Sequence, residues 1–377
     1  MDYFSLILPK NNPKLYQQSQ RYFIKKHVIE ALEQALMRRS HAAPILKKYF
    51  RQTRSLGSKD RRRVADMVYT IIRCSDVFSH LGMQTPIEWY SIYQDFLHGN
   101  SISIDEDRNT IDIFSLCTGI PQQLCSNLYE QFAENRSDFI LWTHSLPPTY
   151  IRVCLDKINR VDLQQKLKNS GIISKPIPQV PMTLQIQGRA NLIAHPLYKK
   201  GYFEIQDLSS QRFCSQIDVQ GKHVFDVCAG SGGKSLAFAS QGGTVFAHDI
   251  RTNALQELQK RAQRGGYKVR QRKPTSADII VIDAPCSGTG RLAREPTLRW
   301  KYKDWDPLSF VATQKELIQH YKKMLTDENK ILFYATCSLL QEENEHQIED
   351  LHQNEKVWCW PHQNLGDGFF WSSYKSL

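Results

Sequence analysis

From residue 207 onward the sequence alternates between short apolar runs and amphipathic stretches, and this pattern constrains the fold more than any other feature. KHVFDVCA reads as a strand, and GGKSLAFASQ as the start of a helix. TVFAHDI and NALQELQKRAQR repeat that pair. ADIIVID is a third strand, LSFVATQKELIQHYKKML a helix, and NKILFYATC a fourth strand. Such alternation predicts an α/β fold, a parallel sheet wound with helices on both faces. Right-handed crossovers then gather the carboxyl ends of the strands on one edge, where folds of this kind bind ligands.

The chain upstream has a different texture. Residues 1–20 are polar and are expected to be loosely ordered. Residues 21–146 show helical spacing of apolar side chains in RYFIKKHVIEALEQALMRR and in SKDRRRVADMVYTIIRCSDVF, where Ser58 is the expected N-cap. IPQQLCSNLYEQFAEN adds a third helix starting at Pro121. Pro147 and Pro148 break this all-helical domain. Residues 147–206 then read as a small α+β unit, with strands in IRVCLD, MTLQIQ and YFEIQD and a helix in VDLQQKLKNSG. Residues 207–377 form the expected catalytic domain.

The formal net charge of +11 predicts attraction to polyanions. Basic residues cluster at Arg61–Arg63, at Arg270, Arg272 and Lys273, and at Arg291, Arg294 and Arg299. No lipidation signal or long basic amphipathic helix accompanies them, so nucleic acid is favoured over membrane. No apolar run is long enough to cross a bilayer, and the N-terminus lacks a basic leader and a cleavage site, which makes a cytoplasmic setting the expectation. The nine cysteines are scattered without a C-x-x-C pair, which argues against a metal site and for reduced thiols.

Three stretches carry chemistry. In FDVCAGSGGKS a strand runs into a glycine-rich turn, Cys228, Ala229, Gly230, Ser231, Gly232, Gly233 and Lys234, and then a helix. Glycines let the backbone approach a ligand, and a helix N-terminus offers unpaired amides. The next strand ends at Asp249, a carboxylate placed to accept from both hydroxyls of a ribose. The plainer alternative is an ordinary turn followed by a surface acid. The spacing departs from the dinucleotide pattern, because position 235 is serine, so an adenosine-bearing methyl donor is favoured over a nicotinamide cofactor. In IDAPCSGTG, Asp283 ends the third strand and Cys286 follows in a turn. In YATCSLLQEENE, Cys337 ends the fourth strand, and Glu342, Glu343 and Glu345 read most simply as acids stabilising a first helical turn.

Two thiols, a carboxylate and an adenosine site on one edge suit methylation of carbon 5 of cytosine. A thiolate adds to carbon 6 while a carboxyl group engages ring nitrogen 3. The enamine so formed attacks the methyl of S-adenosyl-L-methionine, and loss of the carbon 5 proton expels the thiol. The base has to be unstacked to enter such a pocket.

FDVCAGSGGK, DAPCSGTG, REPTLRW, YATCSLLQEENE and the late DGFF resemble the successive motifs of the Sun/Fmu-type (RsmB-like) RNA cytosine-5 methyltransferases, and GYFEIQDLSSQ resembles the motif that opens their catalytic domain. The likeness spans about residues 148–377. LGSKDRRRVADMVYTIIR resembles, more loosely, the NusB-like helical domain of several members, and the 147–206 unit matches their small RRM-like subdomain. The resemblance implies a Rossmann-like S-adenosylmethionine-dependent domain. It assigns Cys337 as the nucleophile, Cys286 to product release, Asp283 to the base, Asp249 to the cofactor ribose and residues 228–234 to the cofactor loop. It implies an RNA substrate, 16S ribosomal RNA before tRNA, and a monomer is the favoured state. Three positions depart from the family pattern. Gly230-Ser231 stand where Ala-Pro is usual, Cys154 stands where Asn is common, and KVRQRKPTS carries no Asp for the adenine, because Asp278 already begins the next strand.

Other functions fit less of the sequence. A non-catalytic RNA-binding or ribosome assembly factor accounts for the missing adenine acid but gives no use to Asp283, Cys286 and Cys337 together. A DNA cytosine methyltransferase attacks with a Pro-Cys thiol, which leaves Cys337 unexplained. A nicotinamide-dependent dehydrogenase fits the glycine spacing least.

Overall fold

A computed structural model of the chain describes residues 7, 8, 10–38, 41–100, 110–304, 306–326, 329–349, 351, 353–364 and 366–375. The chain divides into two compact units. One contains residues 1–146 and 291–307, and the other residues 147–290 and 308–377.

The first unit is helical among its described residues: α1 (Pro13–Ser19), α2 (Tyr22–Arg38), α3 (Ala42–Gln52), α4 (Ser58–His80), α5 (Pro86–His98), α6 (Thr110–Thr118), α7 (Gln122–Gln131) and α8 (Arg136–His144). Val28, Leu32, Val64, Val68, Ile71 and Tyr90, one apolar stripe from each of three helices, meet in its core. Two sequence expectations change. α1 lies inside the N-terminal stretch expected to be loose. Asn12 accepts the Leu15 N–H at 2.9 Å and Pro13 opens the helix, so the N-terminal signals were present in the sequence. Ser58 is the first helical residue of α4, and Gly57 stands at the cap.

Residues 291–307 also differ from the expected 207–377 domain, because they belong with the helices. Arg299 is fully buried there and donates to the Arg73 carbonyl, and the Trp300 indole donates to Ser75 Oγ at 2.7 Å and stacks on Trp89. Arg299 is therefore an internal guanidinium facing Asp76, not part of an exposed basic cluster.

The second unit holds two sheets. The small one has the order β2-β3-β1-β4, all antiparallel: β1 (Thr149–Val153), β2 (Ser174–Pro176), β3 (Thr183–Ile186) and β4 (Phe203–Ile205). Helix α9 (Arg160–Asn169) buries Leu163 and Leu167 against it. The short strand β2 adds a fourth to the three strands read from the sequence in this unit. The large sheet is Rossmann-like with the order β6-β5-β7-β8-β10-β9, built from β5 (His223–Asp226), β6 (Thr244–Ala247), β7 (Ile279–Asp283), β8 (Ile331–Thr336), β9 (Gln353–Cys359) and β10 (Phe369–Lys375). The first four are parallel, and β10 runs antiparallel to both β8 and β9. They are accompanied by α10 (Leu208–Ser215), α11 (Gly233–Ser240), α12 (Thr252–Gly265) and α13 (Val311–Lys322). The chain leaves β5 for β6 on one side and returns to β7 on the other, so the switch point lies between β5 and β7. Registers Asp226↔Ala247, Asp226↔Val281 and Asp283↔Ala335 bring the four parallel strand ends level on one edge.

Candidate active site

The first strand end is Asp226, a buried carboxylate whose Oδ2 accepts from Ser235 Oγ at 2.6 Å, while Oδ1 has no hydrogen-bond partner among the described residues. Burial pushes this carboxyl up to about 7. The turn that follows is tied down at its edges. Ala229 N–H donates to the His248 carbonyl and Gly232 N–H to the Ala229 carbonyl, both at 2.9 Å. Gly232 has φ +85°, and a Cβ there would lie 2.6 Å from Leu258 Cγ, so both conformation and packing require glycine. Gly230 and Gly233 differ, because a Cβ would meet nothing nearer than 3.6 Å and 3.9 Å. The loop therefore presents open backbone, a cradle that fits a bound nucleoside cofactor.

Ser231 stands where the family pattern has proline, and it is held from outside the loop. Arg261 Nη1 donates to the Ser231 carbonyl at 2.8 Å and to its Oγ at 3.1 Å. The same guanidinium pairs with Glu204 of β4, Nη2 to Oε2 at 2.9 Å, and Arg264 also donates to Glu204. A buried carboxylate of the small sheet thus braces the turn of the large one. No signal in the sequence marks Glu204, because its partners lie about sixty positions away.

Asp249 follows β6 and faces the same turn. Its Oδ2 accepts from the Gly230 N–H at 2.8 Å and from Arg251 Nη2 at 3.0 Å. Its Oδ1 accepts from the Arg251 N–H at 2.8 Å and from Arg251 Nε at 2.9 Å. Burial alone would raise this carboxyl, but the bonds from Arg251 and Gly230 outweigh it and hold the group below its ordinary value. Ile250, next in sequence, is 89% exposed, an apolar side chain beside the carboxylate. Asp278 has a different task. Its Oδ2 accepts the His223 N–H at 2.7 Å at the start of β5, the end of the strand away from the site.

Lys234, in the loop expected to hold the cofactor, pairs with Asp283, with Nζ 2.5 Å from Oδ2. Burial would lower the Lys234 ammonium, and the Asp283 carboxylate more than offsets this. Cys286 and Cys337 come together across the β7 and β8 ends, with their sulfur atoms 3.4 Å apart. The contact with Cys337, together with burial, pushes the Cys286 thiol well above its ordinary value. Backbone bonds lock the two turns to each other. Gly290 N–H donates to the Cys337 carbonyl at 3.0 Å, and Gly368 N–H to the Gly290 carbonyl at 2.8 Å. A Cβ on Gly290 would lie 2.4 Å from the Gly368 oxygen, so the DGFF strand entry and the cysteine loops meet through glycines.

Glu343, read from the sequence as an acid stabilising a first helical turn, has a different place. The described structure there is two short 3-10 turns, Gln341–Glu343 and Glu345–Gln347, and Glu343 is fully buried. It accepts from Ser287 N–H at 2.8 Å, from Ser287 Oγ at 2.6 Å and from Gln314 Nε2 at 3.2 Å, and Gln314 also donates to the Pro285 carbonyl. Burial raises its carboxyl above the ordinary value, and these bonds partly offset the rise. Cys154, where the family commonly has Asn, is buried, so its side chain presents no polar group to a ligand.

Residues 217–360 match the family model described as 16S rRNA methyltransferase RsmB/F. Over this stretch the chain is similar to the RsmB/F methyltransferases. Ribosomal RNA small subunit methyltransferase B of Photorhabdus laumondii is 28% identical over 284 residues, and that of an Escherichia coli strain 29% over 280. Each alignment covers 67% of this chain, and the chain spans about 65% of the length of these curated relatives. Among solved structures, a methyltransferase homolog protein from Pyrococcus horikoshii superposes with a TM-score of 0.62 at 22% identity, covering 72% of this chain and 100% of that one. NSun6 from Pyrococcus horikoshii gives a TM-score of 0.60 at 19% identity, covering 68% and 98%. At these identities the structures speak for the fold alone, and the fold they share with the RsmB-like unit is the wound sheet described above.

Proposed function

We propose that this chain is an S-adenosyl-L-methionine-dependent RNA methyltransferase that forms 5-methylcytosine, with small-subunit ribosomal RNA as its substrate. The approach of Cys286 and Cys337 to 3.4 Å, beside the Lys234–Asp283 pair, carries this reading. Reduced thiols brought together at two strand ends beside a paired carboxylate suit covalent base chemistry better than structural packing. Open backbone at Gly230 and Gly233, the orphan Oδ1 of Asp226 and the carboxylate of Asp249 fit the cofactor, with Ile250 available to the apolar face of its adenine. When bound, the cofactor supplies an electrophilic methyl group.

The protein's own part divides between the two thiols. Cys337 is assigned as the attacker by the likeness of YATCS to the family motif, and Cys286, whose thiol is pushed up by its contact with Cys337 and by burial, is assigned to release. The sulfur of Cys337, its proton lost to solvent, bonds to carbon 6 while ring nitrogen 3 takes up a proton delivered through the Lys234–Asp283 pair, and carbon 5 becomes nucleophilic. After carbon 5 has gained its methyl group, a base removes its proton, the double bond between carbons 5 and 6 re-forms, and the Cys337 sulfur leaves as thiolate, with Cys286 assisting that release. The names of the relatives support ribosomal RNA ahead of tRNA, and a net charge of +11 suits either.

Bisulfite sequencing of ribosomal RNA from cells with and without the gene tests the reading, together with methyl transfer from labelled cofactor to the small subunit. A gene-dependent 5-methylcytosine is expected. Its absence with folded protein overturns the assignment. A non-catalytic RNA-binding role is favoured by one observation, the occupation of Asp249 by Arg251, and calorimetry with S-adenosyl-L-methionine separates the two readings.

A further inference from the structure

A carboxylate oxygen offers two lone-pair directions, so Asp249 has four acceptor positions. All four are filled from within the chain. The backbone N–H groups of Gly230 and Arg251 take one on each oxygen at 2.8 Å, and Nη2 and Nε of Arg251 take the others at 3.0 Å and 2.9 Å. A ribose diol needs two of these positions. The backbone donors belong to the cofactor loop and the start of α12, so they cannot yield without undoing the turn. The guanidinium can yield. The Arg251 side chain is 64% exposed, while the Asp249 side chain it covers is 3% exposed. Among the described residues, and leaving aside its chain neighbours, a Cβ built on Gly230 would meet only Arg251 Nη2 within 4 Å, at 3.6 Å, which puts the guanidinium over the open backbone of the cradle.

We infer that Arg251 is an affinity-setting gate at the ribose acid, whose guanidinium must swing into solvent before the two ribose hydroxyls take its places on Asp249. The inference rests on the S-adenosyl-L-methionine reading above. Opening costs the ion pair, and S-adenosyl-L-methionine, which carries net positive charge, must also approach past a cation. The backbone bond from residue 251 to Asp249 survives any substitution except proline, so a variant loses the competitor and keeps the loop anchor. Salt weakens the pairing of an exposed guanidinium, so the gate opens more readily as ionic strength rises.

Calorimetric titration of the full chain with S-adenosyl-L-methionine, and in parallel with S-adenosylhomocysteine, tests this without requiring turnover. Arg251→Ala is expected to bind both more tightly than wild type, by up to about fivefold, the scale of one exposed ion pair. Arg251→Lys, which keeps the charge but loses the fork, should fall between the two. The advantage of Arg251→Ala should shrink in high salt. Unchanged or weaker binding by a folded Arg251→Ala variant, with wild type binding normally, overturns the gate and leaves the cofactor reading intact. Absence of binding by wild type and both variants overturns the cofactor reading, and the gate with it. Binding by Arg251→Ala alone supports both.

Discussion

The two halves of the crevice are built on opposite plans. On the thiol side, the loops of Cys286 and Cys337 are clasped by buried groups: Glu343 takes the backbone and hydroxyl of Ser287, Gln314 joins Glu343 to Pro285, and Ser338 and Thr289 complete the network. On the cofactor side, Gly230 is anchored by its N–H to Asp249, the Arg251 guanidinium, largely in solvent, covers that carboxylate, and Arg261 braces Ser231. The contrast follows from the tasks we propose. Two sulfurs that act in sequence on one base must keep their spacing, and buried, satisfied hydrogen bonds supply that rigidity. A cofactor that enters and leaves at each turnover needs a covering side chain that moves aside at low cost.

The largest effects should come from the thiols. Cys337→Ala should abolish methyl transfer and form no covalent RNA complex, whereas Cys286→Ala should accumulate one, read as a shifted band on a denaturing gel. The reverse pattern would exchange their roles. Glu343→Ala should come next, because it leaves the buried Ser287 N–H and Gln314 amide without their acceptor. A loss of about 1–3 kcal/mol in denaturant unfolding is expected, with methyl transfer falling further than stability alone explains. A Glu343→Ala protein as stable and active as wild type would remove the rigid half of the comparison.

Asp226 provides a pH test beneath the cofactor loop. Its carboxyl, raised by burial to about 7, keeps a proton in the native state that the unfolded chain releases above about pH 4. Its contribution to stability is therefore fully present in acid and is lost as pH rises through about 7. Unfolding free energies from urea titrations at pH 5 and pH 7.5 should differ less in Asp226→Asn than in wild type, by an amount on the order of a few kcal/mol at most. An identical pH dependence in both proteins would place the proton elsewhere. The smallest effect is expected at Arg261, which braces Ser231 in place of the missing proline. Arg261→Lys should speed hydrogen exchange across residues 228–234 and weaken cofactor binding by about threefold, the scale of one partly exposed hydrogen bond. Because Arg251→Ala should shift binding the opposite way, the two variants together separate a brace from a gate.

The wound sheet could be read directly, because its central strands are continuous apolar runs, buried on both faces, that end in glycine, proline or a carboxylate. Asp249, Asp283, Cys286 and Cys337 could be placed on one edge for the same reason. β9 and β10 were not recognised as strands: QNEKVWC is largely polar, and FFWSSYK pairs across β8 and β9 only once the sheet exists. The sequence also could not place residues 291–307, since the burial of Arg299 and Trp300 among helices more than two hundred positions away leaves no local trace. Nor could it separate Glu343 from Glu342 and Glu345, three acids in one run of which one is wholly buried beneath the Cys286 loop.

Local pattern determined which segments are strands, which turns carry glycine, and which polar residues close the strands, because periodicity and strand-end chemistry are properties of neighbours along the chain. Tertiary structure alone decided how the distant residues are paired: Lys234 with Asp283, Cys286 with Cys337, and Glu204 through Arg261 to Ser231. Each pairing joins side chains whose distance is set by sheet register or by the path of a loop, and hydrogen bonding, which falls away within about an ångström, registers only that distance.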